Sequence, residues 1–316
     1  MQAGGIDLQL FMAVTDAPLN SRLERIARGF DQLQLLSVVD RWPMSTWTSR
    51  KARALYMAQR LHGLAERSSG QFVLVRSKPD LRRLREVRVG MPTPVGGLLG
   101  IEGSEPLEGS VANLAALFDA GFRVMGLAHY WDSDIGGSSS GERQSGLTAT
   151  GTRLVREMEA RGMTVDLAHA SEQAAFDALR IATHPVLATH VGVRALCPHS
   201  RNLSDDLIRA IAANDGVIGI GFFPEVTCGT ETADIVRSIK YLRDLVGARH
   251  VALGSGFDAP VQIPIDAAGM PELSEALRDA GLSDNEVAQV MGENVSRVLE
   301  NNLPDIQAEV SGEALR

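Results

Sequence analysis

The stretch TRLVREMEARGMTVDLAHASEQAAFDALRIATHPVLATH (residues 152–190) decides the fold. Residues 152–161 carry helical spacing, and Gly162 stands where a helix ends in the left-handed C′ position. Residues 163–169 form an apolar run that ends in His169. Ser171 is an N-cap, and Glu172 beside it favours the helix dipole. Helix 172–182 leads to a second run, 185–190, which ends in His190. Short strands alternating with helices of about ten residues mark a parallel sheet with right-handed crossovers.

The same rhythm extends both ways. Upstream lie strand 97–102, a helix over 111–120 closed by Gly121, and strand 122–129. Downstream come helix 205–213 capped by Ser204, strand 217–223, helix 232–245 and strand 250–255. Ser283 and Glu286 form a capping-box pair before a last amphipathic helix. Near the N-terminus residues 6–14 read as a strand, broken by the turn chemistry of Asp16, Pro18 and Asn20. Residues 21–65 carry helical spacing interrupted at 41–45. Phe72–Arg76 is a short β-type run, and a helix starts within 79–86. The Gly/Ser-rich stretch 135–146 reads as a loop too polar to pack, placed over a site. No internal repeat or interdomain linker is found. The reading is one α/β domain over 1–303, a barrel or a doubly wound sheet, with a polar tail over 304–316.

Composition narrows the function. The 316 residues are 44% hydrophobic with only 5% aromatic and 31 Gly, which suits close helix-on-strand packing. The net charge of −8 comes without a Lys/Arg cluster, so nucleic acid is not an expected partner. No run of 18 apolar residues is present, so no membrane span is expected. The two cysteines, Cys197 and Cys228, lie far apart, which argues against a disulfide framework and for a reducing cytoplasm.

Four apolar runs end in metal-type ligands: Glu102, His129, His169 and His190. Side chains at the carboxyl ends of parallel strands converge on the crevice where such folds keep their chemistry. Zinc takes imidazole nitrogen and carboxylate oxygen, and a metal so held would activate water against an amide or ester. A lone His at a strand end is more often a hydrogen-bonded structural group; three with a Glu are harder to dismiss. His62, His184 and His250 read as structural, and His199 stays ambiguous in a loop. Arg201 is either a carboxylate clamp or the partner of Asp205 or Asp206.

The ordered motifs Gly-Leu-Leu-Gly-Ile-Glu-Gly (97–103), Met-Thr-Val-Asp-Leu-Ala-His-Ala-Ser (163–171), Pro-Val-Leu-Ala-Thr-His (185–190), Pro-His-Ser-Arg-Asn-Leu (198–203) and Gly-Ser-Gly-Phe-Asp (254–258) resemble the renal (membrane) dipeptidase family of zinc amidohydrolases. The resemblance runs from Gly4 to about Leu303. It implies a (β/α)8 TIM-like barrel with zinc at the carboxyl ends of the strands. Glu102 takes the place of the glutamate that bridges two metals, and His169 and His190 those of the imidazoles that complete one of them. His129 takes the place of the histidine that meets substrate and oxyanion, and Arg201 that of the arginine on the dipeptide's carboxylate. Members often dimerise, so the resemblance allows a homodimer.

The sequence also departs from the family. The His-x-Asp strand that supplies the second metal's remaining ligands has no match, so the barrel is expected to start at the family's second strand. One zinc is expected, or two if a second site is improvised or supplied from upstream. Gly256 stands where the family has its acid–base Asp, leaving Asp258 as the nearest carboxylate. Ser104-Glu105 stands where relatives often carry a His. Two readings follow: a metal-dependent dipeptidase, or an impaired homologue that keeps the scaffold, peptide binding and one zinc. A misassigned start would restore the first strand but not the residue at 256.

Overall fold

A computed structural model describes residues 1–20, 24–86, 94–257 and 261–305. Eight parallel strands form one curled sheet: β1 (Leu8–Val14), β2 (Phe72–Leu74), β3 (Val95–Glu102), β4 (Phe122–Gly126), β5 (Thr164–Asp166), β6 (Leu187–Val191), β7 (Val217–Ile220) and β8 (Val251–Leu253). The order runs β1-β3-β4-β5-β6-β7-β8, each strand beside the next. The short Phe72 strand, expected as an extra element, joins the same sheet. Gly96 and Gly97 pair with β1 and with β2 alike, so β2 lies on the edge of β3 that β4 occupies further along.

Alternation along each strand divides the core. Leu99, Ile101, Met125, Val165, Ala188 and Ile218 face outward into the layer of helices. Leu98, Val124, Leu187, Val217 and Ala252 face the barrel interior, where they meet Leu81, Leu84, Val298 and Leu299. The last two come from the C-terminal helix Asn294–Asn302, which plugs the foot of the barrel. Asn294 Nδ2 donates to the carbonyls of Ala248 and Val251 at the start of β8, and Asn302 Nδ2 to Thr164 Oγ1 and the Pro185 carbonyl below β5 and β6. Plugging the amino ends leaves the carboxyl ends of the strands as the working face.

Among the described residues no ladder joins β8 to β1, so the barrel stays open there. The segment after β8 crosses toward the N-terminus. A Cβ on Gly4 would lie 1.8 Å from the Ala267 carbonyl oxygen, so only glycine permits that approach.

Local signals in the sequence hold. Ser171, Ser204 and Ser283 accept from the backbone of Ala174, Leu207 and Glu286, and the Ser283–Glu286 capping box is complete. The expected helical stretch over 21–65 divides into Gln32–Val39 and Arg50–Arg67.

Two expectations are corrected. Cys197 and Cys228 form a disulfide, tying the loop after β6 to the short helix Pro224–Thr227 that follows β7. Distance in sequence was a poor guide, because the two loops are neighbours at the carboxyl face; the redox ground for a reducing cytoplasm falls with it. The Gly/Ser-rich loop also packs after all: residues 135–141 are buried. Asp132 satisfies its polar backbone, accepting from the amides of Ser138 and Arg143. Asp258 and the tail beyond Asp305 lie outside the described residues. Among the described residues no helix is long and apolar enough to cross a membrane.

Candidate metal centre

Glu102 ends β3, His190 lies within β6, and His169 follows β5 by three residues. Their donor atoms lie within 4.8 Å of one another. Glu102 Oε1 is 3.2 Å from His190 Nε2, Glu102 Oε2 is 3.8 Å from His169 Nε2, and the two Nε2 atoms are 3.2 Å apart. His129 Nε2 stands 2.9 Å from Glu102 Oε2, with its ring edge-on to His169.

His169 reaches this place through a left-handed backbone, φ +64°, uncommon outside glycine and costly unless held. The Gly/Ser-rich loop holds it. Ser139 N donates to the His169 carbonyl at 2.7 Å, and Ser171 N to the Gly137 carbonyl at 2.8 Å. Ser138 Oγ donates to the carbonyl of His129. The loop expected to lie over the site instead braces the backbones of two site histidines.

Behind His190 stands a relay that sequence reading missed. Asp166 Oδ1 accepts from the amides of Ala168 and Thr189 at 3.0 Å, and Oδ2 from Thr189 Oγ1 at 2.7 Å. Thr189 Oγ1, having donated its proton, accepts from His190 Nδ1 at 2.9 Å. The proton is thereby fixed on Nδ1 and the Nε2 lone pair faces Glu102. A carboxylate behind a ligating histidine is a common brace of metal sites, here lengthened by a hydroxyl.

The protonation states suit metal ligands, while the Arg201 guanidinium, in contact with both ring nitrogens of His169, brings positive charge against the cluster. Burial alone would raise the Glu102 carboxyl, but His190, His129 and Arg201 outweigh it and hold it at about 2. Burial, then Arg201 and His129, depress His190 to about 4. Burial and Arg201 carry His169 well below its ordinary value. Both imidazoles are therefore neutral and the carboxylate charged at pH 7, the protonation states that metal binding requires. Burial would depress His129 as well, but Glu102, Glu105 and Asp16 overcome it and raise its pKa. Burial pushes Asp166 up to about 6.

Arg201 does not pair with Asp205 or Asp206; Asp205 accepts instead from Tyr241. The guanidinium lies against the His169 ring and donates from Nη2 to the His190 carbonyl at 3.0 Å. Gly256 has φ +82°, and a Cβ there would lie 3.0 Å from the Phe223 ring. The other histidines stand apart: His62 binds the Ala120 carbonyl, His250 the Gly216 carbonyl, and His184 contacts Thr183 and Glu159. His199 Nδ1 accepts from the Arg201 amide and so shapes the arginine's loop.

A parallel α/β barrel with a Glu–His–His cluster at its carboxyl face is the frame of a metal-dependent hydrolase. The family model described as membrane dipeptidase (peptidase family M19) matches residues 6–308, and the chain belongs to that family. Its relatives include the dipeptidase aclJ of Aspergillus oryzae, 38% identical over 221 residues, which are 66% of this chain and 52% of that one. An uncharacterized protein in the pqqA 5′ region of Klebsiella pneumoniae is 35% identical over 257 residues, 76% of this chain and 93% of that one. The chain thus spans only about half the length of the Aspergillus relative. A metallopeptidase from Rhodobacter sphaeroides, solved with a phosphinate mimic of the dipeptide L-Ala-D-Ala, superposes with a TM-score of 0.76 at 24% identity, over 96% of this chain and 88% of that one. An amidohydrolase from Pseudomonas aeruginosa gives 0.75 at 21% identity, over 96% and 90%. Identities this low carry the fold alone.

Proposed function

We propose that this chain is a zinc-dependent dipeptidase-like hydrolase, with residues 1–303 as one barrel domain and the metal on Glu102, His169 and His190. The observation that carries the reading is the convergence of those three donors, both imidazoles neutral, within 4.8 Å at the carboxyl face. A zinc ion held there supplies an acidified water and polarises the scissile carbonyl. Glu102 keeps its charge through the whole neutral range. The Asp166–Thr189 relay keeps the His190 proton on Nδ1. His129, its pKa raised by three carboxylates, is the side chain we assign to the oxyanion. We assign Arg201 to the dipeptide's terminal carboxylate, which it would meet by turning its guanidinium from the His169 ring and the His190 carbonyl. The membrane dipeptidase family to which the chain belongs supports that substrate class.

A second reading has its own observation. Gly256 cannot move a proton, and its left-handed backbone beside Phe223 disfavours any side chain there. Loss of a positioned acid–base group costs about 10²–10⁴-fold in rate, so a slowed or inactive homologue that keeps its metal is the competing account. Elemental analysis tests the shared premise. Zinc is expected in the wild type and strongly reduced in His190→Ala; a wild type that takes up no zinc would overturn both readings.

A further inference from the structure

Gly256 leaves more than a missing carboxylate: its surroundings make an apolar surface beside the metal cluster. Phe222 N donates to the Ser255 carbonyl at 3.1 Å, so the chain after β7 runs alongside the chain after β8. The half-buried Phe223 ring covers a glycine on each. A Cβ on Gly221 would lie 2.7 Å from Phe223 Cε1, and one on Gly256 would lie 3.0 Å from Cδ1. The ring therefore stands where a side chain at 256 would project. Its centroid is 6.3 Å from that of His190. The rings of His129, His169, His190 and Phe223 thus follow one another at centroid separations of 4.5, 5.1 and 6.3 Å. Three are site histidines, and the last is purely apolar.

Phe223 is also braced to the arginine's loop. Its carbonyl accepts from the amides of Val226 and Thr227 and from Thr227 Oγ1, which fixes it at the head of the helix Pro224–Thr227. Asn202, next to Arg201, donates from Nδ2 to the carbonyls of Cys197 and Val226 at 2.8 and 3.1 Å. The Cys197–Cys228 disulfide joins the same two segments. One braced pair of loops therefore carries Arg201 against the His169 ring and Phe223 beside the His190 ring. A dipeptide with its carboxylate on Arg201 and its scissile carbonyl at the cluster extends its N-terminal residue away from the arginine. An aromatic ring lying over two glycines offers that residue apolar area and no charge.

We propose that Phe223, seated on Gly221 and Gly256, is the specificity-determining wall for the N-terminal side chain of the substrate. The chain selects dipeptides whose N-terminal residue is bulky and apolar over those that carry Gly there. The place of the acid–base carboxylate becomes, in this chain, binding surface. The proposal rests on the dipeptide reading above, and its test separates the two.

Phosphinate mimics of Gly-Gly, Ala-Gly, Leu-Gly and Gly-Leu are titrated into zinc-loaded protein and followed by calorimetry, so binding is read whether or not the chain turns over. Affinity is expected to rise from Gly-Gly through Ala-Gly to Leu-Gly, by about tenfold or more in all, and Leu-Gly is expected to bind more tightly than Gly-Leu. Phe223→Ala is expected to remove most of the Leu-Gly advantage with zinc content unchanged. A thermal melt checks its fold, and the wild-type series carries the test alone if it fails. Equal affinity for Gly-Gly and Leu-Gly overturns the proposal, as does tighter binding of Gly-Leu. So does a Leu-Gly advantage that survives in folded Phe223→Ala, or a loss there that weakens all four mimics alike. Each of these results leaves the dipeptide reading standing. A zinc-loaded wild type that binds none of the four overturns that reading and the proposal with it.

Discussion

Thr189→Val tests whether the cluster is built for metal or merely collects polar residues. The substitution nearly preserves shape and keeps the amide of residue 189 on Asp166 Oδ1. It deletes the 2.7 Å bond to Asp166 Oδ2 and the 2.9 Å contact with His190 Nδ1. Losing the bond to the carboxylate costs about 1.5–3 kcal/mol and losing the neutral one about 0.5–1.5 kcal/mol. The imidazole can then carry its proton on either nitrogen and rotate. Removing such a brace typically weakens metal affinity about 10–100-fold, or about 1.4–2.7 kcal/mol. The assay is competition for zinc against a chromophoric chelator at pH 7, with thermal melts of the metal-free forms alongside. Weaker zinc binding in a folded variant is expected. Zinc affinity equal to that of the wild type would refute the claim that Asp166 and Thr189 orient His190 for a metal.

Further outcomes follow from the same geometry. Arg201→Met should raise KM about 10-fold or more for dipeptides with a free carboxylate, and leave C-terminally amidated substrates unaffected; equal losses on both would remove the carboxylate role. Gly256→Asp should lose about 1–2 kcal/mol of stability and gain no activity, because φ +82° and the Phe223 ring oppose a side chain; a large gain in kcat would show that the backbone adapts. Cys197→Ser should lower stability by about 2–4 kcal/mol through the 31-residue separation it uncloses, read by denaturant titration. In metal-free protein, stability from His190 is full above its ordinary 6.5 and lost as pH falls toward its folded value of about 4. Below 6.5 the unfolded chain takes up a proton that the folded site, beside Arg201 and His129, refuses; the loss is on the order of 3 kcal/mol. Denaturant titrations from pH 7 to 4.5 should show a shallower slope in His190→Gln than in the wild type.

Much of this was legible in the chain because strand ends carry both fold and chemistry. Apolar runs closing in Glu102, His169 and His190 located three strands and the cluster together, and Ser171 and Ser204 marked the helices that follow the last two. Three things stayed hidden. Asp16 reads as turn chemistry; only the pairing of Val14 with Glu102 between β1 and β3 sets it at the carboxyl face. Asp166 is the one carboxylate in the run 163–169, which was the available signal for the His190 brace. Cys197 and Cys228 are distant in sequence yet adjacent in space, since successive βα loops of a barrel meet at one face. The loop at 135–146 was misread because polarity was taken for exposure, whereas Asp132 satisfies its backbone inside the protein.

Hydrolysis of unmodified dipeptides by zinc-loaded chain, measured as released amino acid beside a chelated sample and a His169→Asn variant, tests the central claim most directly. Turnover is expected that requires zinc and disappears in both controls. No hydrolysis from a chain that demonstrably holds its zinc would contradict the enzyme and leave the peptide-binding homologue.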